Sequence, residues 1–211
     1  MPADLDRDHW HPASLAGGSV VLRRHRPDNL AQVVRWYRDP ELARLTRYQT
    51  RPMTVEEIES FFRVRLLAAD ALAYAIHLRE RDRFVGITTF SALDPDNGSA
   101  LFHITIGERD AWGRGFGTEA AELMLRHAFE RIGLHRVGLS VFSFNTRAIA
   151  SYEKVGFREE GRLRDAIWRD GRYWDEVQMG VLEEEWRERV ARFEDEALGD
   201  GARAATPART G

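Results

Sequence analysis

Apolar residues recur along the chain with two different periods, and each change of period marks an element. Ser19-Val20-Val21-Leu22-Arg23 is short and β-branched, which predicts a first strand. Pro27-Asp28-Asn29 supplies helix-start chemistry, and Leu30, Val33, Val34 and Tyr37 then fall at helical spacing until Asp39-Pro40 closes the run. Thr54 and Glu57 have the spacing of a capping box ahead of Ile58, Phe61, Phe62 and Leu66, so a second helix is predicted there. From Ala71 the period shortens. Ala73 to Leu78 and Phe84 to Leu93 read as strands joined by the charged turn Arg79-Glu80-Arg81-Asp82-Arg83. Pro95-Asp96-Asn97-Gly98 is a turn, and Leu101 to Ile106 is the next strand.

Helical spacing returns from Gly117 to Ile132, where Ala121, Leu125, Ala128 and Ile132 form one stripe and Gly133 supplies the stop. Arg136 to Phe142 is a strand, and a short helix runs from Asn145 to Gly156. Two strands flank Arg169-Asp170-Gly171, and an acidic helix occupies Glu183 to Glu196. The predicted order is β-α-α-β-β-β-α-β-α-β-β plus a C-terminal helix, an α/β fold with one mixed sheet and helices on both faces.

Composition narrows the chemistry. With 211 residues, 43% of them hydrophobic, the chain can bury the core of one substantial domain. Its formal net charge of −3 argues against a dedicated nucleic-acid or membrane-surface binder. The absence of cysteine removes disulfides, thiolate metal sites and a cysteine nucleophile. No apolar run reaches the length of a transmembrane helix, and Met1 to Pro12 lacks a signal-peptide core, so a cytoplasmic setting is expected. His9 and His11 have no companion ligands, and no metal site is expected. Residues 1–18 read as a loose leader and residues 191–211 as a helix end with a fraying tail, around a domain spanning 19–190.

The most informative stretch is Trp112-Gly113-Arg114-Gly115-Phe116-Gly117, placed between a strand and a helix start. Glycine at alternate positions removes the Cβ atoms that would keep a bulky anion away from the backbone, and N–H groups at a helix N-terminus point toward negative charge. A glycine-rich turn without a ligand is the plain alternative. Gly115-x-Gly117-x-x-Ala120 also has the spacing of a dinucleotide fingerprint. Against that, residues 107–112 separate the loop from the strand end, and Val141-Phe142-Ser143-Phe144 offers no acid for a ribose. A Gly-Lys-Ser/Thr loop for a nucleoside triphosphate is absent.

Trp112 to Ala120, then Phe144-Asn145-Thr146-Arg147-Ala148-Ile149-Ala150-Ser151-Tyr152-Glu153-Lys154-Val155-Gly156-Phe157, then residues 159–182 together resemble the GNAT-fold N-acetyltransferases. The chain is most similar to the bacterial branch of ribosomal-protein N-terminal and spermidine acetyltransferases. The resemblance spans roughly residues 19–186 and is strongest over 104–182. It implies acetyl-CoA as donor, a primary amine of a small molecule or protein N-terminus as acceptor, and an assembly such as a homodimer. It assigns the loop Trp112, Gly113, Arg114, Gly115, Phe116 and Gly117 to the CoA pyrophosphate. Thr105, Ile106 and Gly107 would hold the pantetheine arm through their backbone, Asn145 would contact the same molecule, and Tyr152 would lie beside its sulfur.

Amine attack on a thioester needs a neutral amine, a stabilised oxyanion and a proton for the leaving thiolate. Tyr152 is the candidate acid, against the alternative that it merely packs an amphipathic helix. For the base, relatives carry a glutamate where this chain has Ser140. His103 is the candidate that the sequence offers in its place, its ordinary pKa being near 6.5, although a strand histidine is more often a packing residue. Glu108 and Glu160 are no better. Acceptor choice is assigned to Arg38 to Arg63 and the final hairpin, where Arg44, Arg47 and Arg51 lean away from a polycation. A CoA-binding sensor without turnover is the alternative function.

Overall fold

The computed structural model describes residues 10–49 and 51–204, with side chains described to residue 193. Among the described residues eight strands form a single sheet: β1 Ser14–Ala16, β2 Val20–Arg24, β3 Ala73–Leu78, β4 Arg83–Asp94, β5 Ser99–Ile106, β6 Arg136–Phe142, β7 Arg158–Arg169 and β8 Arg172–Leu182. Their order across the sheet is β1-β2-β3-β4-β5-β6-β8-β7. Every neighbouring pair is antiparallel except β5 and β6, which run parallel. A parallel pair needs a crossover. Here it is α4, Phe116–Arg126, continued by a wider turn over His127–Ile132.

Three helices precede the central strands, one more than the apolar spacing predicts: α1 Leu30–Tyr37, α2 Pro40–Thr46 and α3 Val55–Phe61. Asp39-Pro40 does stop α1, but Asp39 at once caps α2 by accepting the Glu41 N–H at 2.8 Å. Thr54 and Glu57 form the expected reciprocal cap of α3, at 3.2 and 2.9 Å. The remaining helices are α5 Thr146–Lys154 and α6 Glu183–Ala204.

The helices cover both faces of the sheet. Against one face, Ala121, Met124, Leu125 and Phe129 of the crossover pack on Leu22, Tyr74, Ile76 and Phe102, with Trp186 closing the end. Against the other, Val33, Trp36, Ile58 and Phe62 pack on Ala73 and Ile87. Glu108, just past β5, gathers Gln32, Arg35, Trp36 and Arg83 as donors, and so ties α1 to the sheet.

Part of the expected leader belongs to this body. Ser14–Ala16 pairs with β2, and Trp10 packs on the core while its carbonyl meets His127 Nε2 at 2.9 Å. A three-residue strand is too short to show a period, which is why alternation does not reveal it. Residues 1–9 and 205–211 of the expected leader and tail lie outside the described residues.

His25 is buried, at 7% exposure. Desolvation lowers its pKa to about 4 from 6.5, and the Arg24 charge adds to the effect. The unfolded chain therefore takes up a proton near pH 6.5 that the folded chain refuses until pH 4. His25 contributes stability that is complete above the first value and lost as pH falls toward the second, roughly 3 kcal/mol in all. Urea unfolding at neutral and acidic pH checks this, the expected result being a smaller acid loss in His25→Phe than in the parent.

Candidate active site

The ladder between β5 and β6 is brief: Ser99, Ala100 and Leu101 oppose Arg136, Val137 and Gly138, and beyond them the two strands separate. Each then keeps its other neighbour, β5 staying on β4 to Ile106 and β6 on β8 to Phe142. The V-shaped gap opens into a cleft of about 1240 Å³ that reaches the glycine loop at one end and α2 at the other.

Register decides which backbone groups face the gap. The Gly107 N–H donates to Val85 O at 2.9 Å, and Gly107 and Val85 continue the register that pairs Ile106 with Gly86. In an antiparallel ladder such pairs alternate, so Thr105 and His103 also spend their backbone groups on β4. Ile104 and Ile106 turn theirs toward the gap. The Ile106 carbonyl is already taken by Trp112 Nε1 at 2.7 Å. Of the three residues expected to hold the pantetheine arm, Thr105 is spent on β4 and the Gly107 N–H on Val85, whereas the Ile106 N–H is free to face the gap. Ile104, which strand prediction alone did not single out, offers both of its own.

The loop after β5 is held by that Trp112 bond, and Arg147 lies over the indole at 4.2 Å. Gly113 and Gly115 have φ of +70° and +84° with open space where a Cβ would stand. Both conformations favour glycine. Gly117 is different: it lies in the first turn of α4, and a Cβ there would make ordinary contact with Ile106. The first backbone bond into the helix runs from the Glu119 N–H to Gly115 O at 3.0 Å. Among the described residues the N–H groups of 113 to 118 have no partner, which leaves a row of donors at a helix N-terminus where an anion is favoured. Arg114 lies over Phe116 at 4.9 Å. A wide cleft, an unspent amide row and free strand amides fit an extended molecule with a diphosphate and an amide-bearing arm.

Tyr152, on α5, lines the cleft between Phe102 and Phe157, with ring centroids 6.4 and 5.9 Å away. Its hydroxyl has no protein partner among the described residues, and burial pushes its pKa up to about 12. Asn145 also lines the cleft but spends its Oδ1 on capping α5, accepting the Ala148 N–H at 3.3 Å, and its Nδ2 reaches Leu45 O at 3.5 Å. A side chain expected to contact the ligand is thus committed to the helix start.

His103 lies on the opposite face of β5 from Phe102, and therefore across the sheet from Tyr152. It meets Ser91 Oγ at 2.6 Å, and desolvation followed by the Arg65 charge lowers its pKa, so it is neutral at pH 7. Ser140 and Gln178, directly opposed on β6 and β8, join side chains at 3.0 Å on this second face. Glu108 is committed to the α1 cluster and Glu160 to Arg136, so neither reaches the cleft.

The fold and cleft define a class of acyltransferase built on a split sheet. The chain belongs to the GNAT acetyltransferase family, whose domain matches residues 19–158, and it is an acetyl-CoA-dependent N-acetyltransferase acting on an amine. An uncharacterized N-acetyltransferase of Bacillus licheniformis is 27% identical over 172 residues, covering 79% of this chain and 94% of that one. The spermidine N(1)-acetyltransferase of Escherichia coli is 26% identical over 171 residues, covering 77% and 80%. The crystal structure of spermidine N-acetyltransferase from Vibrio cholerae in complex with CoA and spermine superposes with a TM-score of 0.71 over 81% of this chain and 99% of that one. At 22% identity that likeness is one of fold.

Proposed function

We propose that the protein moves the acetyl group directly to a primary amine, of a small molecule or a protein N-terminus, within a ternary complex. The observation that carries this reading is the gap between β5 and β6, which joins the face holding Tyr152 to the face holding His103 and Ser140. Acetyl-CoA supplies an acyl group already activated as a thioester. The amides of residues 113 to 118 bind the diphosphate, and the backbone of Ile104 and Ile106 holds the arm. The Ile106 N–H is the donor placed to polarise a carbonyl. Tyr152 keeps a proton at Oη for the departing sulfur, and holding both reactants in one cleft supplies much of the rate.

Charge on the acceptor side bears on the amine. Arg44 is paired with Asp170 and Arg51 with Glu57. Arg47 and Arg65 line the cleft without a carboxylate partner among the described residues, against one lining acid, Asp70. The reading therefore favours an acceptor without extra cationic groups over a polyamine. A cytoplasmic homodimer completes it, from the family resemblance.

Purified protein mixed with acetyl-CoA and a panel of amines, followed by free-thiol release, tests the reading. Amine-dependent thiol is expected, faster with mono-amines bearing a carboxylate than with spermidine. Ser140 at the position of a catalytic glutamate favours a second reading, a CoA-binding sensor or scaffold. Saturable acetyl-CoA binding with no amine-dependent thiol would establish it.

A further inference from the structure

Among the described residues the acceptor face contains one buried acid, which has no part in holding the fold's ion pairs. Glu176, on β8, is 5% exposed, and its one hydrogen-bond partner among the described residues is the Tyr48 hydroxyl, which donates to Oε1. No arginine or lysine stands within ion-pair distance of it among those residues. A carboxylate removed from water with a single neutral donor is costly to keep, and structural acids elsewhere in this chain, such as Glu108, are surrounded by cations. Directly opposed strand residues share a face, so Glu176 lies beside Phe142 and two pairs along from Ser140 and Gln178, the next pair on that face. The carboxylate missing at Ser140 is thus present one strand away.

Tyr48 connects this acid to the cleft. Its side chain lines the cavity and is 61% exposed, yet it is held at three points. Arg169, itself buried, donates to the Tyr48 carbonyl at 2.7 Å and to the Arg47 carbonyl. The Tyr48 ring meets Phe142 edge-on at 5.4 Å, and the hydroxyl meets Glu176. An ordinary surface tyrosine has no reason to be fixed so completely.

We infer that Tyr48 and Glu176 form the proton acceptor for the incoming amine, in a step that rests on the transferase reading above. Tyr48 Oη accepts a hydrogen from the substrate ammonium while its own hydrogen passes to Glu176 Oε1. One N–H bond breaks and its electron pair stays on nitrogen as the lone pair that attacks. The ammonium becomes a neutral amine, the carboxylate becomes a carboxylic acid, and Tyr48 ends as the phenol it began. Tyr48 touches the substrate. Glu176 acts through it and is a positioning residue.

The test measures kcat and KM for Tyr48→Phe, Glu176→Gln and the double variant, with His103→Gln as comparator. Each acts on a strongly basic amine and on a hydrazide of similar shape that is already neutral at pH 7. With the basic amine, kcat is expected to fall about a hundredfold in either single variant, within the usual range for a lost general base. The double variant should be no worse, because the two groups act as one unit. KM for acetyl-CoA should stay within about twofold, and the hydrazide should lose much less. Equal losses for both acceptors, additive losses, or a loss confined to His103→Gln would overturn the inference. Tyr48 is mostly exposed, so its variant tests the pair even if Glu176→Gln fails to fold. A parent enzyme that releases no thiol with any acceptor overturns the transferase reading and this step together, whereas an active parent with unaffected variants overturns this step alone.

Discussion

Tyr152→Phe is expected to lower kcat by about two orders of magnitude while leaving KM for acetyl-CoA within about twofold. Phenylalanine keeps the ring that packs between Phe102 and Phe157, so the aromatic contacts persist and only the hydroxyl is lost. Among the described residues that hydroxyl has no protein partner whose loss could disturb the fold. Burial holds its pKa near 12, so the group stays protonated across the physiological range and is available as a donor. A residue that acts on the leaving group contributes in the transition state and little in the ground state, and such a loss appears in kcat rather than in binding. Steady-state kinetics with varied acetyl-CoA, together with calorimetric binding of CoA, check both halves. An unchanged kcat removes Tyr152 from the mechanism.

Gly107→Ala is expected to produce the largest loss of stability, about 3 kcal/mol or more, from overpacking at a site that cannot yield. A Cβ there would stand well under 3.0 Å from Trp36 Cγ, Cδ2 and Cε2. The indole cannot move aside. It is 3% exposed, packs on Phe84 at 4.6 Å and donates from Nε1 to Glu108 at 2.8 Å. Gly117→Ala makes only ordinary contact with Ile106 and is expected to be nearly neutral. Thermal unfolding of the two variants should differ by about 10 °C for a chain of this size. Trp36→Leu in the Gly107→Ala background, by making room, should recover part of the difference.

These two positions differ in how far the chain reveals them. Tyr152 is legible as a motif residue, seven positions after Asn145 on a helix with a clear apolar face. Gly107 reads only as a member of a strand end, because the neighbour that forbids a side chain there is 71 residues away in sequence. The same limit applies to the backbone groups proposed for the pantetheine arm. Alternation separates Thr105 from Ile104 and Ile106, but which set faces the gap depends on the partner strand that takes the other set. Ile104 becomes visible once the register with β4 is known. Asn145 shows the reverse: its type and place suit ligand contact and helix capping equally, and Ala148 takes its side-chain oxygen.

Local chemistry was sufficient wherever cause and effect lie within a few residues. The capping box at Thr54, the left-handed stop at Gly133, the open glycines at 113 and 115, and the strands from Ala73 to Leu78 and Arg136 to Phe142 all follow from neighbours along the chain. Tertiary structure alone decided the parting of β5 from β6, the placing of Tyr152 and His103 on opposite faces of the sheet, and the meeting of Tyr48 with Glu176 across 128 residues. The reason is physical: caps and turns are short-range hydrogen bonds and dihedral preferences, whereas a gap in a sheet arises when two strands each satisfy a different neighbour, and no stretch of residues carries that choice.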